Sequence, residues 1–428
     1  MLIPGGLVTL SPLAPPSSLT LSFWALFTTR ATSAMPLLDL PNELLQNISE
    51  NLESERDINA IAQANRRLYC LLDSYLYRYN IQQSGSSALL WAAEHGQEAT
   101  AHKLLREKAN IQVTNDDNQA PMLLAIEKGH NQVVKLLLDK GANVNAQGGH
   151  YGNALQAASY LGNEAVVKML LNKGADVNAQ DRRYGNALQA ASARGDEAMV
   201  KMLLDKGADV NAQGGRYDNA LQAASCGGNE AVVKMLLDKG ANVNSQGGEY
   251  GNALYAASAR GDEAVVKMLL DKGANVNARS GHYGYALHAA SYGGDEAVMK
   301  MLLDKGADVN AQGGNWGNAL YAASWACDKA AVKMLLDKGA DVNAQGGEYG
   351  YALQAASYLG NDVVVKMLLD KGANVNSQGG EYGNAFQAAS ARGKEVVVKM
   401  LLDKGADVNA PGGEFGNAFQ EPSASVRG

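Results

Sequence analysis

The residues able to do covalent or acid–base chemistry are few in this 428-residue chain, and their spacing suits none of it. Six histidines are scattered from His95 to His288, and none forms the His-Glu-x-x-His pair that holds zinc on one helix face. The three cysteines, Cys70, Cys226 and Cys327, show no Cys-x-x-Cys or Cys/His interval. That argues against a zinc site and a disulfide framework, and for a reducing intracellular compartment, cytoplasmic or nuclear. Gly-Gly pairs recur, but none lies in a Walker or Gly-x-Gly-x-x-Gly frame that would cradle a phosphate. Acidic residues return at helix starts and loop tips, too regularly to be a catalytic pair. The expectation is a protein without catalytic residues, metal or cofactor.

Recognition chemistry is better represented, and it returns at fixed intervals. One recurring position reads His150, Arg183, Arg216 and Glu249, then ends on Glu348, Glu381 and Glu414. A second reads Gln156, Gln189, Gln222, Tyr255, His288, Tyr321, Gln354 and Gln387. A third, a neighbouring pair of residues, includes Tyr160, Arg194, Tyr292, Trp325 and Tyr358. Tyrosine, tryptophan and arginine are the types enriched at the energetic centres of protein interfaces. The bland alternative is drift at exposed positions, which accounts more easily for the charges than for the aromatics.

The elements that must position these residues follow from one register. Tyr151-Gly152-Asn153-Ala154-Leu155 returns as Tyr184-Gly185-Asn186-Ala187-Leu188, and again at Tyr217, Tyr250, Tyr283, Trp316, Tyr349, Tyr382 and Phe415, always 33 residues on. Carried backwards, it opens two divergent units near Gly85 and Asn118, giving ten full units and a truncated one. Within the unit 151–183, Asn153 and Gln156 form a capping-box pattern. The short helix they open ends at Gly162, a residue suited to a left-handed cap. Asn163 caps a second helix with Glu164 in its first turn. Val166, Val167, Leu170 and Leu171 make its apolar stripe, while Lys168 and Lys173 face water. Helices this short stay folded only by stacking on copies of themselves.

The unit GNALQAASYLGNEAVVKMLLNKGADVNAQ resembles the ankyrin repeat. The usual Thr-Pro-Leu-His opening reads Asn-Ala-Leu-Gln in most copies, and proline stands at that helix start only as Pro121. The resemblance implies an all-α ankyrin-repeat solenoid over residues 85–428. It also implies a target-protein groove lined by finger tips and first helices, which is where the three recurring positions fall: His150, Arg183 and Arg216; Tyr255, His288 and Tyr321; Tyr160, Arg194, Tyr292, Trp325 and Tyr358. With units roughly 10 Å apart they would form one continuous strip. In the unit opened by Trp316, Cys327 replaces the helix-ending glycine, either a local contact site or a soft spot in the array.

Residues 36–80 stand outside the register and read as three short helices. The first opens at Leu40-Pro41-Asn42-Glu43, with Leu44, Leu45, Ile48 and Leu52 at helical spacing; a second fits 57–64, and a third runs from Arg66 to Tyr77. With Asp57, Ile58, Ile61 and Asn65-Arg66-Arg67-Leu68, this pattern resembles the F-box. The resemblance implies docking on the Skp-type linker subunit of a cullin–RING ubiquitin ligase, through Leu40, Pro41, Leu44, Ile48 and Leu52. The competing reading is a helical cap on the first repeat. Residues 1–35 are apolar and rich in Ser, Thr and Pro, and read as a disordered leader or upstream extension, with a targeting peptide the lesser option. No run approaches the roughly 20 apolar residues of a membrane helix. The net charge of −7, with Lys and Arg dispersed, argues against nucleic acid as a partner.

Overall fold

Six of the first helices begin where an asparagine satisfies an otherwise free amide. Asn153 Oδ1 accepts from the Gln156 amide at 2.9 Å, and Asn186, Asn219, Asn252, Asn318 and Asn384 repeat that bond at the same register. A cap of this kind is worth about 1 kcal/mol over alanine. Six second helices are capped likewise, by Asn163, Asp196, Asp262, Asp295, Asp328 and Asn361. These details come from a computed structural model that describes residues 66–181, 185–281, 284–348, 350–411 and 413, with Asn42 and Leu45. Arg183 and the five residues Leu40, Pro41, Leu44, Ile48 and Leu52 lie outside the described residues.

The described residues fall into two units divided between Asp176 and Val177. The first holds α1 (Arg66–Gln83), then three helix pairs: α2 (Ser87–Glu94) with α3 (Glu98–Arg106), α4 (Pro121–Glu127) with α5 (Asn131–Asp139), and α6 (Ala154–Leu161) with α7 (Glu164–Asn172). First helices pack on first helices, α2 on α4 and α4 on α6, and second on second, α3 on α5 and α5 on α7. The third helix expected before the repeats is α1, six residues longer than the spacing suggested, and it leans on the first pair. Asn80 is buried there with its Oδ1 accepting from the Ala88 amide at 3.2 Å, and Arg78 reaches Glu107 at 2.8 Å. The other two expected helices fall outside the described residues, except Asn42 and Leu45, which are both helical.

The second unit continues the arrangement through seven pairs. The first helices are α8 (Ala187–Arg194), α10 (Ala220–Gly227), α12 (Ala253–Arg260), α14 (Ala286–Gly293), α16 (Ala319–Trp325), α18 (Ala352–Leu359) and α20 (Ala385–Ala391). The second helices are α9 (Glu197–Asp205), α11 (Glu230–Asp238), α13 (Glu263–Asp271), α15 (Glu296–Asp304), α17 (Lys329–Asp337), α19 (Asp362–Asp370) and α21 (Glu395–Asp403). Alanine pairs such as Ala223–Ala224 and Ala256–Ala257 are buried where neighbouring first helices meet, because only small side chains allow that approach. The stripe Val232, Val233, Leu236 and Leu237 is buried on the second helix, as are its counterparts Val265, Val266, Leu269 and Leu270, while at the last pair Leu402 is 44% exposed. Between pairs the chain turns back on itself in short fingers, closed by antiparallel bridges such as Gly247 to Gly251 and by the two-residue strands β1 (Gln345–Gly346) and β2 (Gly350–Tyr351).

Two ladders run along the second unit. Asn211 accepts from the Asn242 amide at 2.7 Å and donates to the Gly240 carbonyl at 3.1 Å; Asn178, Asn244, Asn277, Asn310, Asn343 and Asn376 each do the same one repeat along. Lys272, Lys305, Lys338 and Lys371 each pair with an aspartate of the previous repeat at 3.1–3.2 Å. These pairs are half exposed, so each adds at most a fraction of a kcal/mol, roughly 0–1. The asparagines tie backbone to backbone and matter more.

Cys327 departs from the pattern. Gly162 ends α6 at φ 77° at no steric cost, whereas Cys327 takes up φ 59° with a Cβ in place. The neighbouring α16 ends one residue early, at Trp325.

Candidate protein-binding face

The three recurring positions have three different fates. The one holding Gln156, Tyr255, His288 and Tyr321 is not on the surface, and this corrects the expectation for Tyr255, His288 and Tyr321 as groove residues. They are 5%, 0% and 2% exposed. This side chain projects from the first turn of the first helix into the finger of the following repeat. There Gln189 Nε2 donates to the carbonyls of Ala212 at 3.2 Å and Asp218 at 2.9 Å, and Gln387 Nε2 to Ala410 at 2.8 Å. His288 Nε2 makes the same contact with the Ala311 carbonyl at 3.1 Å. Burial pushes the His288 imidazole down to about 4, against the pull of the Ala311 and Gly313 carbonyls, so it sits there neutral. Tyr321 fills the equivalent space against Gly346 and Gly347, where an added Cβ would collide with its ring. The capping-box reach back to the N-cap amide, expected of Gln156, is made by Gln189 and Gln354. The sequence carried a signal of this: Gln, Tyr and His share a long reach and a polar end, and no charged residue ever enters the position.

The finger-tip position is exposed, as at His150 and Arg216. Its charge is not simply offered to solvent. The Arg216 guanidinium pairs with Glu249 of the next repeat through Nε and Oε2, with Nη2 to Oε1 at 3.4 Å, and lies 5.7 Å from the Tyr217 ring. Basic and acidic tips thus neutralise each other where they are neighbours.

The third position forms the most distinctive surface. In the first unit Tyr160 is 43% exposed, its ring 5.0 Å from Tyr151, which in turn meets His150 at 5.1 Å. In the second unit Arg194 is exposed, and Tyr292 stacks on Trp316 of the next repeat at 4.2 Å. Trp325 stacks on Tyr358 at 6.0 Å, and Tyr358 meets Tyr382 at 5.1 Å with the Arg392 guanidinium 4.7 Å over its ring. Cys226 stands at the same register place and bonds the Tyr250 hydroxyl; that bond, then burial, pushes the phenol up to about 12. The finger aromatics Trp316, Tyr382 and Tyr250 are therefore half of this face, although their regularity marks them first as register signals. The replacement of tyrosine by Trp316 was the hint available in the sequence.

Among the described residues no group of three His, Cys, Asp or Glu is placed to hold a metal ion, and no helix is long and apolar enough to cross a membrane.

Two family models agree with this architecture. A family model described as ankyrin repeats (3 copies) matches residues 42–148, 89–181, 187–280 and 320–411, and one described as ankyrin repeats (many copies) matches 287–336. Among solved structures, the human ASB11 ankyrin repeat domain is similar at 26% identity and a TM-score of 0.45, over 51% of this chain and 96% of that one. No curated protein matches the chain.

Proposed function

The chain belongs to the ankyrin-repeat family, a family of protein-binding scaffolds, and on that premise we propose that it is a non-catalytic adaptor working inside the cell, in cytoplasm or nucleus. Its repeats hold a target protein, and residues 36–80 hold the Skp-type linker subunit of a cullin–RING ubiquitin ligase. The observation that carries the target-binding half is the run of partly exposed rings in consecutive repeats, Tyr292, Trp316, Trp325, Tyr358 and Tyr382. Large amphipathic rings at the surface supply contact area at low entropic cost and are the usual anchors of interfaces. The linker half is supported by the F-box-like order of Leu40, Pro41, Leu44, Ile48 and Leu52. Co-purification of the full chain with the linker subunit tests it. The intact protein is expected to retain the linker, and the triple change of Leu40, Pro41 and Ile48 to alanine to lose it.

A second reading keeps the scaffold and drops the ligase. Two observations favour it: α1 packs on the first helix pair through Asn80 and Arg78, and the family match already begins at residue 42. On this reading residues 36–80 seal the end of the stack. Failure of the intact chain to retain the linker would leave this reading alone.

A further inference from the structure

The aromatic face contains one arrangement twice, with a single difference. Tyr292, Trp316 and Ala326 stand two repeats before Tyr358, Tyr382 and Arg392 in the same register. In the later set the two rings lie 5.1 Å apart and Arg392 folds back so that its guanidinium sits 4.7 Å over Tyr358. Arg260 occupies the same register place and also reaches back onto the preceding repeat, with Nε and Nη2 2.9 and 3.0 Å from where a Cβ on Gly228 would be. An arginine at this place therefore covers the repeat before it in two separate copies. In the earlier set the place belongs to Ala326, which cannot.

The rings in the earlier set are the better receptor. Trp316 has the strongest π-face of any side chain for a cation. It stacks on Tyr292 at 4.2 Å with the planes 23° apart, and Tyr292 is 47% exposed, the most exposed aromatic among the described residues. Approach is open beside it, since a Cβ on Gly293 would meet nothing within 4 Å. Carboxylates stand near the pair, among charges of both signs. The Asp328 carboxylate lies against Gly294, where an added Cβ would collide with it, and Glu348 is exposed at a finger tip. Between Gly284 and Ala391 there is no arginine, but the Arg279 guanidinium lies 3.5 Å from where a Cβ on Gly313 would be, and Lys329 follows Asp328 at the start of α17.

We propose that the Tyr292–Trp316 pair is the seat for an arginine side chain of the target protein, the partner supplying the guanidinium that Arg392 supplies within the chain. The inference rests on the reading that the repeats bind a target, and it narrows that target to one presenting an exposed arginine. A planar guanidinium stacks on ring faces where an ammonium would not, so arginine is preferred over lysine.

The full-length chain carrying 5-fluorotryptophan, titrated with acetyl-tetra-arginine amide and followed by fluorine NMR, tests the seat. The Trp316 resonance, assigned by its loss in Trp316→Phe, is expected to shift saturably. The uncharged isostere tetra-citrulline should need about tenfold more peptide for the same shift. Ala326→Arg should fill the seat from within and abolish the response while leaving the melting curve unchanged. A Trp316 resonance that does not move, an equal response to citrulline, or unaltered binding by Ala326→Arg would each overturn the proposal. None of these outcomes needs a target, so failure of the full chain to capture one bears on the scaffold reading alone.

Discussion

The Gln354 side-chain amide donates to the Gly383 carbonyl of the next repeat at 2.9 Å, and reaches the Ser377 and Gly379 carbonyls at 3.1 and 3.2 Å. One side chain thereby shares its two N–H groups among three carbonyls of a finger whose backbone has little sheet to pair with. Repeat arrays hold together through nearest-neighbour terms, and this residue is one such term, fixed at a position that the periodicity alone marks as variable.

Gln354→Ala should loosen the tie between α18 and the finger before α20. The Ser377 and Gly379 carbonyls lose their donor, while the Gly383 carbonyl keeps the Gly379 amide, at a cost of about 2 kcal/mol. Faster amide exchange in residues 350–391, with the first unit unchanged, is the expected readout. Unchanged exchange there would mean that the ties are ornamental.

His288 gives the array an acid-sensitive point. Its folded value of about 4 lies below its ordinary 6.5, so the unfolded chain binds the proton more readily. Its contribution is complete above pH 6.5 and is lost as pH falls towards 4, by up to about 3 kcal/mol. Glutamine holds this position in most repeats and can donate to the same Ala311 carbonyl. His288→Gln should therefore keep neutral stability and melt at higher temperature than the parent at pH 4.5. Parallel pH profiles for the two proteins would refute the assignment.

Cys327→Gly should stabilise the protein. A left-handed residue with a Cβ costs about 1–2 kcal/mol, and glycine returns up to about 1 kcal/mol as chain entropy. The net gain is about 0.5–1 kcal/mol, visible as a later urea midpoint. The bond from the Asn361 side-chain Nδ2 to the Cys327 backbone carbonyl at 3.2 Å survives the change. A loss of stability would show that the thiol makes a contact worth more than the strain.

The two ladders should respond unequally. Asn277→Ala removes the bonds to the Asp308 amide and the Gly306 carbonyl and is expected to cost about 1–2 kcal/mol at any salt concentration. Lys305→Ala removes an exposed pair with Asp271 and should cost less than about 0.5 kcal/mol, vanishing in high salt. Equal effects in urea melts at low and high salt would contradict the ranking.

The sequence by itself determined the repeat, its length, its caps and its buried stripes. Each of these is local: Asn153 caps the helix it precedes, Gly162 ends the helix it follows, and Val166 to Leu171 share a face because helical geometry puts them there. Tertiary structure alone decided which variable positions meet water. Tyr255, His288 and Tyr321 are variable yet buried, because the following finger folds over them. Arg216 is variable and exposed yet paired, because the next repeat brings Glu249 alongside. Tyr292 and Trp316 make one surface from two repeats only because stacking sets a finger beside the preceding first helix. A periodic sequence fixes what each repeat does for itself; what it does for its neighbour depends on how the finger closes between them, and no interval along the chain encodes that.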